Sequence, residues 1–349
     1  MPRKLKPDAW IAAAALALLV AGVLNVTSSA GVIIQGSTVA FITRQIVLSL
    51  FCAAALFAFM RFDVRPVLRH PYFPWLYWAA TAALAFLFLL PAYKEVHRFV
   101  KLGGFLLQPS EFAKIIVVLM VARLLAEREY REALVPVGTH LAIPFLLILL
   151  EPDLGISGLL LVTVFAMALL KGMPWRQVAL AAAAGTLVVA VAIAAVGYRM
   201  DRLQKFVAGT EEQTLSAKIA LGSGGLFGKG IGGSHQKFFY LSKPHTDFAY
   251  AILGEEFGLA GTLFILGLYG VIFWRGLALA RALGGSVEGY AAFGLTLLLT
   301  IQAFIHISVN VNIVPPKGIT LPFVSYGGSS LLASTLLVGI LLSLSMRRP

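Results

Sequence analysis

Long apolar runs alternate with short polar turns along almost the whole chain. A helix that crosses a hydrocarbon core needs roughly 17 to 25 apolar residues, and about ten segments satisfy this pattern. The alternating segments of about ten residues that characterise a transmembrane barrel do not occur. The predicted spans are Ala9–Val26, Arg44–Met60, Trp75–Leu90, Glu111–Leu125, Leu134–Leu150, Gly155–Leu170, Trp175–Val196, Phe248–Trp274, Tyr290–Val309 and Ser329–Leu344.

Two polar interruptions shape this plan. The apolar block from Leu134 to Leu170 is too long for one span, and Glu151-Pro152-Asp153 divides it into two helices joined by a tight turn. The long non-membrane segment runs from about Gly197 to Asp247, between the seventh and eighth spans, and reads as a loop. The pattern predicts an all-α polytopic membrane protein of about ten transmembrane helices, forming a single domain over residues 1–349.

Composition and charge support this class and orient the chain. Of 349 residues, 59% are hydrophobic and only 13% are charged, which is more apolar surface than a soluble domain buries. Most Lys and Arg residues outside the long segment lie on the side of the N-terminus, which predicts that both termini are cytoplasmic and the long loop is extracellular. The net charge of +12 is then mainly an orientation signal and implies no nucleic-acid partner.

The long loop carries more basic than acidic residues. This excess predicts either a site for an anionic ligand or a solvated loop that touches anionic lipid headgroups. Its run Gly228-Lys229-Gly230-Ile231-Gly232-Gly233 formally fits GxGxxG, but no strand precedes it, so a tightly folded or mobile loop is the better interpretation.

Charged residues at membrane depth are costly and are usually paired or functional. Glu111 and Lys114, in the run Gln108 to Lys114, lie three residues apart at the start of a helix and can pair. Either they hold helices together or they take part in binding. Lys94, Arg98 and Lys101 would form a cationic stripe on a helical turn, suited to phosphate or facing lipid headgroups.

Two further groups complete the candidates. Gln302, His306 and Asn310 share one face of the ninth span, where interhelical hydrogen bonding is expected; no metal-ligand spacing accompanies His306, so no zinc site is proposed. Asp247, in Lys243-Pro-His-Thr-Asp-Phe-Ala-Tyr, stands at the membrane edge, above Glu255 and Glu256. By itself Asp247 would be read as a helix cap.

Four motifs resemble one family closely. They are Gln108 to Lys114, Glu151 to Gly155, Lys243 to Gly258, and Asn310 followed by Pro315-Pro316-Lys317-Gly318-Ile319-Thr320-Leu321-Pro322-Phe323-Val324-Ser325-Tyr326-Gly327-Gly328-Ser329-Ser330. Over nearly the whole length the chain resembles the SEDS proteins (RodA, FtsW and SpoVE), and its short ends resemble the RodA branch. The prolines of the last motif predict a looped or re-entrant outer segment before the final helix.

The resemblance implies a peptidoglycan glycosyltransferase in the bacterial cytoplasmic membrane. Such an enzyme polymerises lipid II on the outer face during cell elongation, with a class B penicillin-binding protein and other elongation-complex proteins as partners. The acid at Asp247 is essential in that family, and the Glu111–Lys114 pair is important.

The predicted chemistry assigns a role to each group. Asp247, with a reference pKa of about 3.9, would be the general base for the acceptor hydroxyl. The cations expected to stabilise the leaving pyrophosphate are Arg98, Lys101, Lys243 and Lys317. A divalent cation, Mg²⁺ or Mn²⁺, is the alternative for part of this task. Gln108 and Ser325 are further candidates for binding the substrate or supporting the site.

Two other functions remain open from the residues alone. Broken helices and buried charge also fit a transporter that flips lipid II, and a non-catalytic scaffold of wall synthesis is the third class. Essential charges near the membrane midplane favour transport, whereas an essential acid at the outer edge favours chemistry.

Overall fold

The computed structural model describes residues 6–29, 38–91, 97–102, 105–194, 197–239 and 245–346, and these form a helical bundle. The helices up to the long loop are α1 (Ala9–Ser29), α2 (Thr38–Phe59), α3 (Arg65–Arg69), α4 (Phe73–Phe86), α5 (Pro109–Glu127), α6 (Tyr130–Leu150), α7 (Leu154–Leu170) and α8 (Trp175–Ala194). They continue with α9 (Gly197–Val207), α10 (Glu212–Ser223), α11 (Gln236–Phe239), α12 (Ala249–Leu283), α13 (Val287–Asn310) and α14 (Gly328–Ser345).

Each of the ten predicted spans coincides with a helix. Among the residues that the structure describes, six helices are long and apolar enough to cross a membrane, namely α1, α2, α6, α12, α13 and α14, and the segments Phe73–Leu89 and Leu154–Leu170 are shorter apolar helices. In α5, Glu111 and Lys114 near one end and Arg123 and Glu127 near the other interrupt the apolar run. The split at Glu151 is confirmed, because α6 ends at Leu150 and α7 begins at Leu154.

The centre of the bundle is built around α13. It packs against α12, α5, α7 and α14, and its buried residues include polar ones such as Gln302, His306 and Asn310. Large apolar side chains on α2 and α8, among them Phe51 and Leu180, remain exposed, as expected of a surface that faces lipid. The polar side chains of α13 therefore face the protein interior, among a large apolar core, while further apolar side chains cover the outer surface.

A small hairpin lies where a helical turn was expected. Strands β1 (Val100–Leu102) and β2 (Phe105–Leu107) pair antiparallel, with Leu102 opposite Phe105. Apolar and aromatic residues flank Gly103-Gly104 in the sequence, a dipeptide that favours a two-residue hairpin connection. The predicted helical stripe of Lys94, Arg98 and Lys101 is therefore wrong for its described members: Lys101 is on β1, Arg98 precedes it, and Lys94 lies outside the described residues.

The long segment between α8 and α12 is more ordered than a simple loop, since it contains α9, α10 and α11. By contrast, the predicted looped segment after Asn310 is confirmed: residues 311–327 contain turns and no helix. This segment packs closely on α1, where a Cβ added to Gly22 would lie 2.1 Å from the carbonyl oxygen of Phe323. We call residues 311–327 the Pro-rich segment.

Candidate active site

Asp247 lies two residues before α12, and two other elements hold its backbone. Asn310 of α13 donates a hydrogen bond from Nδ2 to the Asp247 carbonyl (3.2 Å) and accepts one at Oδ1 from the Ala251 amide (3.0 Å). In the Pro-rich segment, Ser325 Oγ donates to the Thr246 carbonyl at 2.6 Å. The half-buried Asp247 is thus fixed in position through its backbone, and Phe248, not Asp247, is the residue that flanks the helix.

Three aromatic rings pack together beside the backbone of Asp247. Tyr326 stacks on Phe41 of α2 with ring centroids 4.3 Å apart, and His245 meets the Tyr326 ring edge-on at 5.8 Å. The Tyr326 amide also donates to the His245 carbonyl at 2.8 Å. Offset and edge-on aromatic pairs of this kind stabilise their partners beyond the area they bury. They join α2, the Asp247 backbone and the Pro-rich segment.

The Pro-rich segment approaches the carboxylate of Asp247 at a glycine. A Cβ built on Gly318 would lie 3.7 Å from both Asp247 carboxylate oxygens. The residue before Gly318 in the sequence is the cation Lys317. The glycine leaves open the space that a side chain would fill beside the acid.

The buried pair Glu111–Lys114 is confirmed and is connected to this segment. Lys114 Nζ donates to Glu111 Oε2 and to Gln302 Oε1, both at 2.6 Å. Gln302 Nε2 in turn donates to the Thr320 carbonyl at 3.0 Å. Both charged side chains are almost fully buried, so neither reaches the surface beside Asp247. The pair is thus connected to the Pro-rich segment through Gln302 and Thr320.

The expected interhelical hydrogen bonds of α13 are confirmed. Besides Gln302 and Asn310, His306 contributes through Nδ1, which is 2.7 Å from the Ile319 carbonyl. All three side chains therefore contact either the Pro-rich segment or the Asp247 backbone. One face of α13 positions the two segments that bring Asp247 and Lys317 together.

Arg98 and Asp153 form a second charged pair near the same segment. Arg98 Nη2 donates to Asp153 Oδ2, and Gln108 Nε2 donates to the same oxygen at 3.2 Å. Asp153 also caps α7 by accepting from the Ile156 amide at 3.1 Å. This places the predicted Arg98 and Gln108 around one carboxylate.

A cleft of about 170 Å³ lies between the Arg98–Asp153 pair and the Pro-rich segment. It is bordered by Asp153 and by Arg98, Arg202, Lys317 and Gly318. Arg202 comes from α9 and was not a candidate from the sequence, because nothing in its neighbourhood distinguishes it from the other loop charges. Three cationic side chains thus border a cleft whose wall at Gly318 adjoins Asp247.

Some predicted residues are not part of the cleft. Lys101 is exposed on β1 and does not line it. Lys243 lies outside the described residues. Ser325 is 2% exposed and supports the backbone of Thr246 instead of facing a ligand.

Glu255 and Glu256, near the outer end of α12, hold the long loop. Glu255 accepts hydrogen bonds from Lys229 Nζ (2.8 Å), Ser234 Oγ (2.5 Å) and the amides of His235 and Gln236. Lys237, fully buried, pairs with Glu256 at 2.7 Å and donates to Ser28 Oγ of α1. These acids therefore anchor the loop and do not touch the cleft.

The glycine run of the long loop, Gly228 to Gly233, also contributes to the contact between the loop and α12. A Cβ added to Gly228 would lie 2.1 Å from the Glu256 carbonyl oxygen, and Gly258, with φ of 67°, breaks α12 opposite it. The amides of Lys229 and Gly230 donate to the carbonyls of Glu255 and Glu256 at 3.0 Å. Close backbone packing, and not nucleotide binding, explains why Gly228 is a glycine.

Metal ligands are sparse around the cleft. Among the residues that the structure describes, no three His, Cys, Asp or Glu side chains come together as a possible metal site. The predicted Mg²⁺ or Mn²⁺ thus has no such ligand set in this part of the protein.

Comparison with known proteins identifies the family. The profile of the cell cycle protein family of FtsW, RodA and SpoVE matches residues 9–349. The chain belongs to this family, the SEDS proteins. It is 32% identical to stage V sporulation protein E of Bacillus subtilis (strain 168) over 98% of both chains. It is 33% identical to the probable peptidoglycan glycosyltransferase FtsW of Halothiobacillus neapolitanus, over 96% of this chain and 85% of that one.

Solved structures of SEDS proteins share the fold. The crystal structure of the Thermus thermophilus rod shape determining protein RodA superposes with a TM-score of 0.71 at 26% identity, covering 98% of this chain and 97% of RodA. A chain of a peptidoglycan synthase complex, described as coordinating polymerization and crosslinking, gives a TM-score of 0.80 at 26% identity over 96% of both chains. These likenesses confirm an all-α polytopic membrane protein.

Proposed function

We propose that this protein is a peptidoglycan glycosyltransferase that polymerises lipid II on the outer face of the bacterial cytoplasmic membrane. The observation that carries the proposal is the position of Asp247, a fixed and half-buried acid beside a cleft bordered by Arg98, Arg202 and Lys317. Glycan transfer from a lipid pyrophosphate requires a base and a site that binds an anionic substrate. The names of the FtsW relatives support the same activity.

In the proposed reaction, Asp247 is the general base. The acceptor's 4-hydroxyl oxygen attacks the anomeric carbon of the donor as its proton passes to the Asp247 carboxylate. The bond from that carbon to the pyrophosphate oxygen breaks, and undecaprenyl pyrophosphate leaves. Preorganised cations stabilise charge that develops on a leaving group, and Arg98, Arg202 and Lys317 stand where they can do so.

Glu111, Lys114, Gln108 and Ser325 are proposed as supporting residues. Their hydrogen bonds go to Gln302, Asp153 and Thr246, which hold the segments that carry Asp247 and the cleft. The whole chain, 1–349, is proposed to act as one membrane domain. The likeness to RodA and to a synthase complex supports a role in cell elongation beside a class B penicillin-binding transpeptidase.

The test incubates the purified protein with labelled lipid II in detergent, with and without its class B penicillin-binding partner. Detergent removes the membrane barrier, so transport contributes nothing to the signal. We expect glycan strands from the wild type and none from D247A. The control D201N alters an exposed acid that pairs with Lys205 on α9, and it should retain activity. Bound lipid II without polymer, in the presence of the partner, contradicts the proposal and favours a transporter or scaffold.

A further inference from the structure

A second charged cavity lies at the other end of α12. It has a volume of about 400 Å³ and is formed by the ends of α7 and α12 and the start of α13. On α12, Arg281 lies 23 residues beyond the break at Gly258, a helix length of about 35 Å at roughly 1.5 Å per residue, and Asp247 lies on the other side of that break. That length is enough to span the roughly 30 Å hydrocarbon core of a bilayer. The cavity therefore lies at the opposite membrane interface from the candidate active site.

The cavity has an apolar wall and a cationic rim. Leu170, Leu277 and Phe293 line it together with Tyr290. Arg281 also lines it, is exposed, and makes no hydrogen bond or ion pair among the described residues. This combination is suited to a ligand with both an apolar body and a negative charge.

A second cation lies near the cavity, and a nearby acid is compensated by an ion pair, so the rim of the cavity is positively charged. Lys171, which follows α7, holds its Nζ 5.8 Å from the centre of the Tyr290 ring. The nearby acid on α13, Glu288, is buried, and Arg69 of α3 donates to both of its carboxylate oxygens at 2.6 and 2.9 Å. The charge of Glu288 is thus compensated, and the charges of Arg281 and Lys171 remain available.

The connection between α12 and α13 leaves room at this rim. α12 ends in Gly284, with φ of 61°, and a Cβ on Gly284 or Gly285 would meet nothing within 4 Å. α13 then begins at Val287, so the positive end of its dipole lies at the same interface. The glycines allow a headgroup to come close to this backbone.

We propose that this cavity binds one anionic phospholipid, with its phosphate between Arg281 and Lys171 and an acyl chain along Leu170, Leu277 and Phe293. Basic pockets between transmembrane helices at a membrane interface are typical binding places for acidic lipid headgroups. The apolar wall favours a lipid over free phosphate, because a free anion gains nothing from Leu277 or Phe293. The site is separate from the proposed glycosyltransferase cleft and does not depend on it.

The test measures lipid binding to the purified full-length protein. Protein in detergent is titrated with short-chain phosphatidylglycerol, phosphatidylcholine or inorganic phosphate, and bound lipid is counted by native mass spectrometry while thermal stability is followed. We expect phosphatidylglycerol alone to bind and to stabilise the wild type. Stabilisation by inorganic phosphate to the same extent overturns the lipid assignment.

Variants locate the site. K171Q/R281Q should weaken phosphatidylglycerol binding about thirtyfold, because each Lys or Arg contributes about fivefold. The matched control R128Q removes an exposed arginine on the same face, between α5 and α6, and should bind as the wild type does. R281K keeps the charge and should retain binding, which separates lost binding from lost folding. Equal binding by K171Q/R281Q and the wild type overturns the proposal.

Discussion

At the scale of single residues, the charges inside this protein fall into two groups with different tasks. Glu111, Lys114 and Lys237 are buried in ion pairs, whereas Arg202 is exposed at the cleft and Asp247 is half-buried beside Gly318 in its wall. A buried ion pair adds little net stability over an apolar pair, but removing one partner leaves an uncompensated charge. Substitutions in the buried pairs should therefore change mainly stability, and substitutions of Asp247 or Arg202 should change mainly activity.

The Glu111–Lys114 pair gives the first prediction. E111Q should lower the free energy of unfolding by about 3–5 kcal/mol, because Lys114 then keeps a buried charge with only Gln302 as a partner. E111Q/K114M removes both charges and should be more stable than E111Q. Thermal denaturation in detergent measures the stability of each variant. If the stability lost in E111Q/K114M equals the sum of the losses in E111Q and in K114M, the two residues are not coupled.

Glu151 gives the second prediction. Its carboxyl group is 0% exposed, and neither oxygen has a hydrogen-bond partner among the described residues. Burial, with the nearby Asp153 carboxylate, raises the pKa of Glu151 from 4.5 to about 8, against a smaller opposing effect of Arg98. The folded protein then holds a proton that the unfolded chain releases, so the contribution of Glu151 to stability is greatest below about pH 4.5 and falls until about pH 8.

The stability loss from this one group amounts to roughly 4 kcal/mol across that range. E151Q cannot ionise, so its melting temperature should vary less between pH 5 and pH 8 than that of the wild type. E129Q, which removes an exposed carboxylate at the start of α6, should retain the wild-type dependence. The same decline with pH in E151Q and the wild type would exclude Glu151 as its source.

At the scale of elements, the long loop, α12 and the Pro-rich segment form one supporting unit. Glu255 and Glu256 hold the loop, and Asn310 and Ser325 hold the Asp247 backbone. Glycines permit the closest of these contacts. Loosening the loop from α12 should therefore reduce both stability and activity.

Two glycines near the end of α10 test this contact. A Cβ on Gly224 would lie 2.0 Å from the Gly254 carbonyl oxygen, while one on Gly222 would meet nothing within 4 Å. G224A should cost about 1–3 kcal/mol, because α10 and α12 must separate, and it should slow polymerisation. G222A should be neutral or slightly stabilising. Equal melting temperatures for the two variants would show that the contact is not tight.

Sequence patterns predicted these elements unevenly. The length of the apolar runs located the ten predicted spans, and the four-residue spacing of Gln302, His306 and Asn310 predicted their common face. The partners of that face were not predictable, because they lie on the distant Thr320, Ile319 and Asp247. The hairpin at Val100 was missed because the expected cationic stripe assumed a helix, and Arg202 was missed because only the packing of α9 brings it to the cleft.

At the scale of the whole molecule, the asymmetry of charge predicts the orientation in the membrane. Basic residues concentrate on the face that carries α3, the α5–α6 turn and the end of α12, which should be cytoplasmic. The face with Asp247 and the long loop is then extracellular. The proposed active site and the proposed lipid site consequently lie in opposite leaflets.

Cysteine labelling in whole cells checks this orientation. In a C52S background, A208C after α9 should react with a membrane-impermeant maleimide in intact cells, and E129C should react only after permeabilisation. Both positions are exposed, while the native Cys52 is buried. The reverse labelling pattern would place the long loop, and the active site with it, in the cytoplasm.

The most direct measurement of the central claim compares catalysis and binding in D247N. Asparagine keeps the shape of the side chain but cannot accept the acceptor's proton as a carboxylate does. We expect the polymerisation rate to fall more than about a hundredfold, while affinity for lipid II is unchanged. A loss of affinity equal to the loss of rate, or retention of rate, would contradict the role of Asp247 as general base.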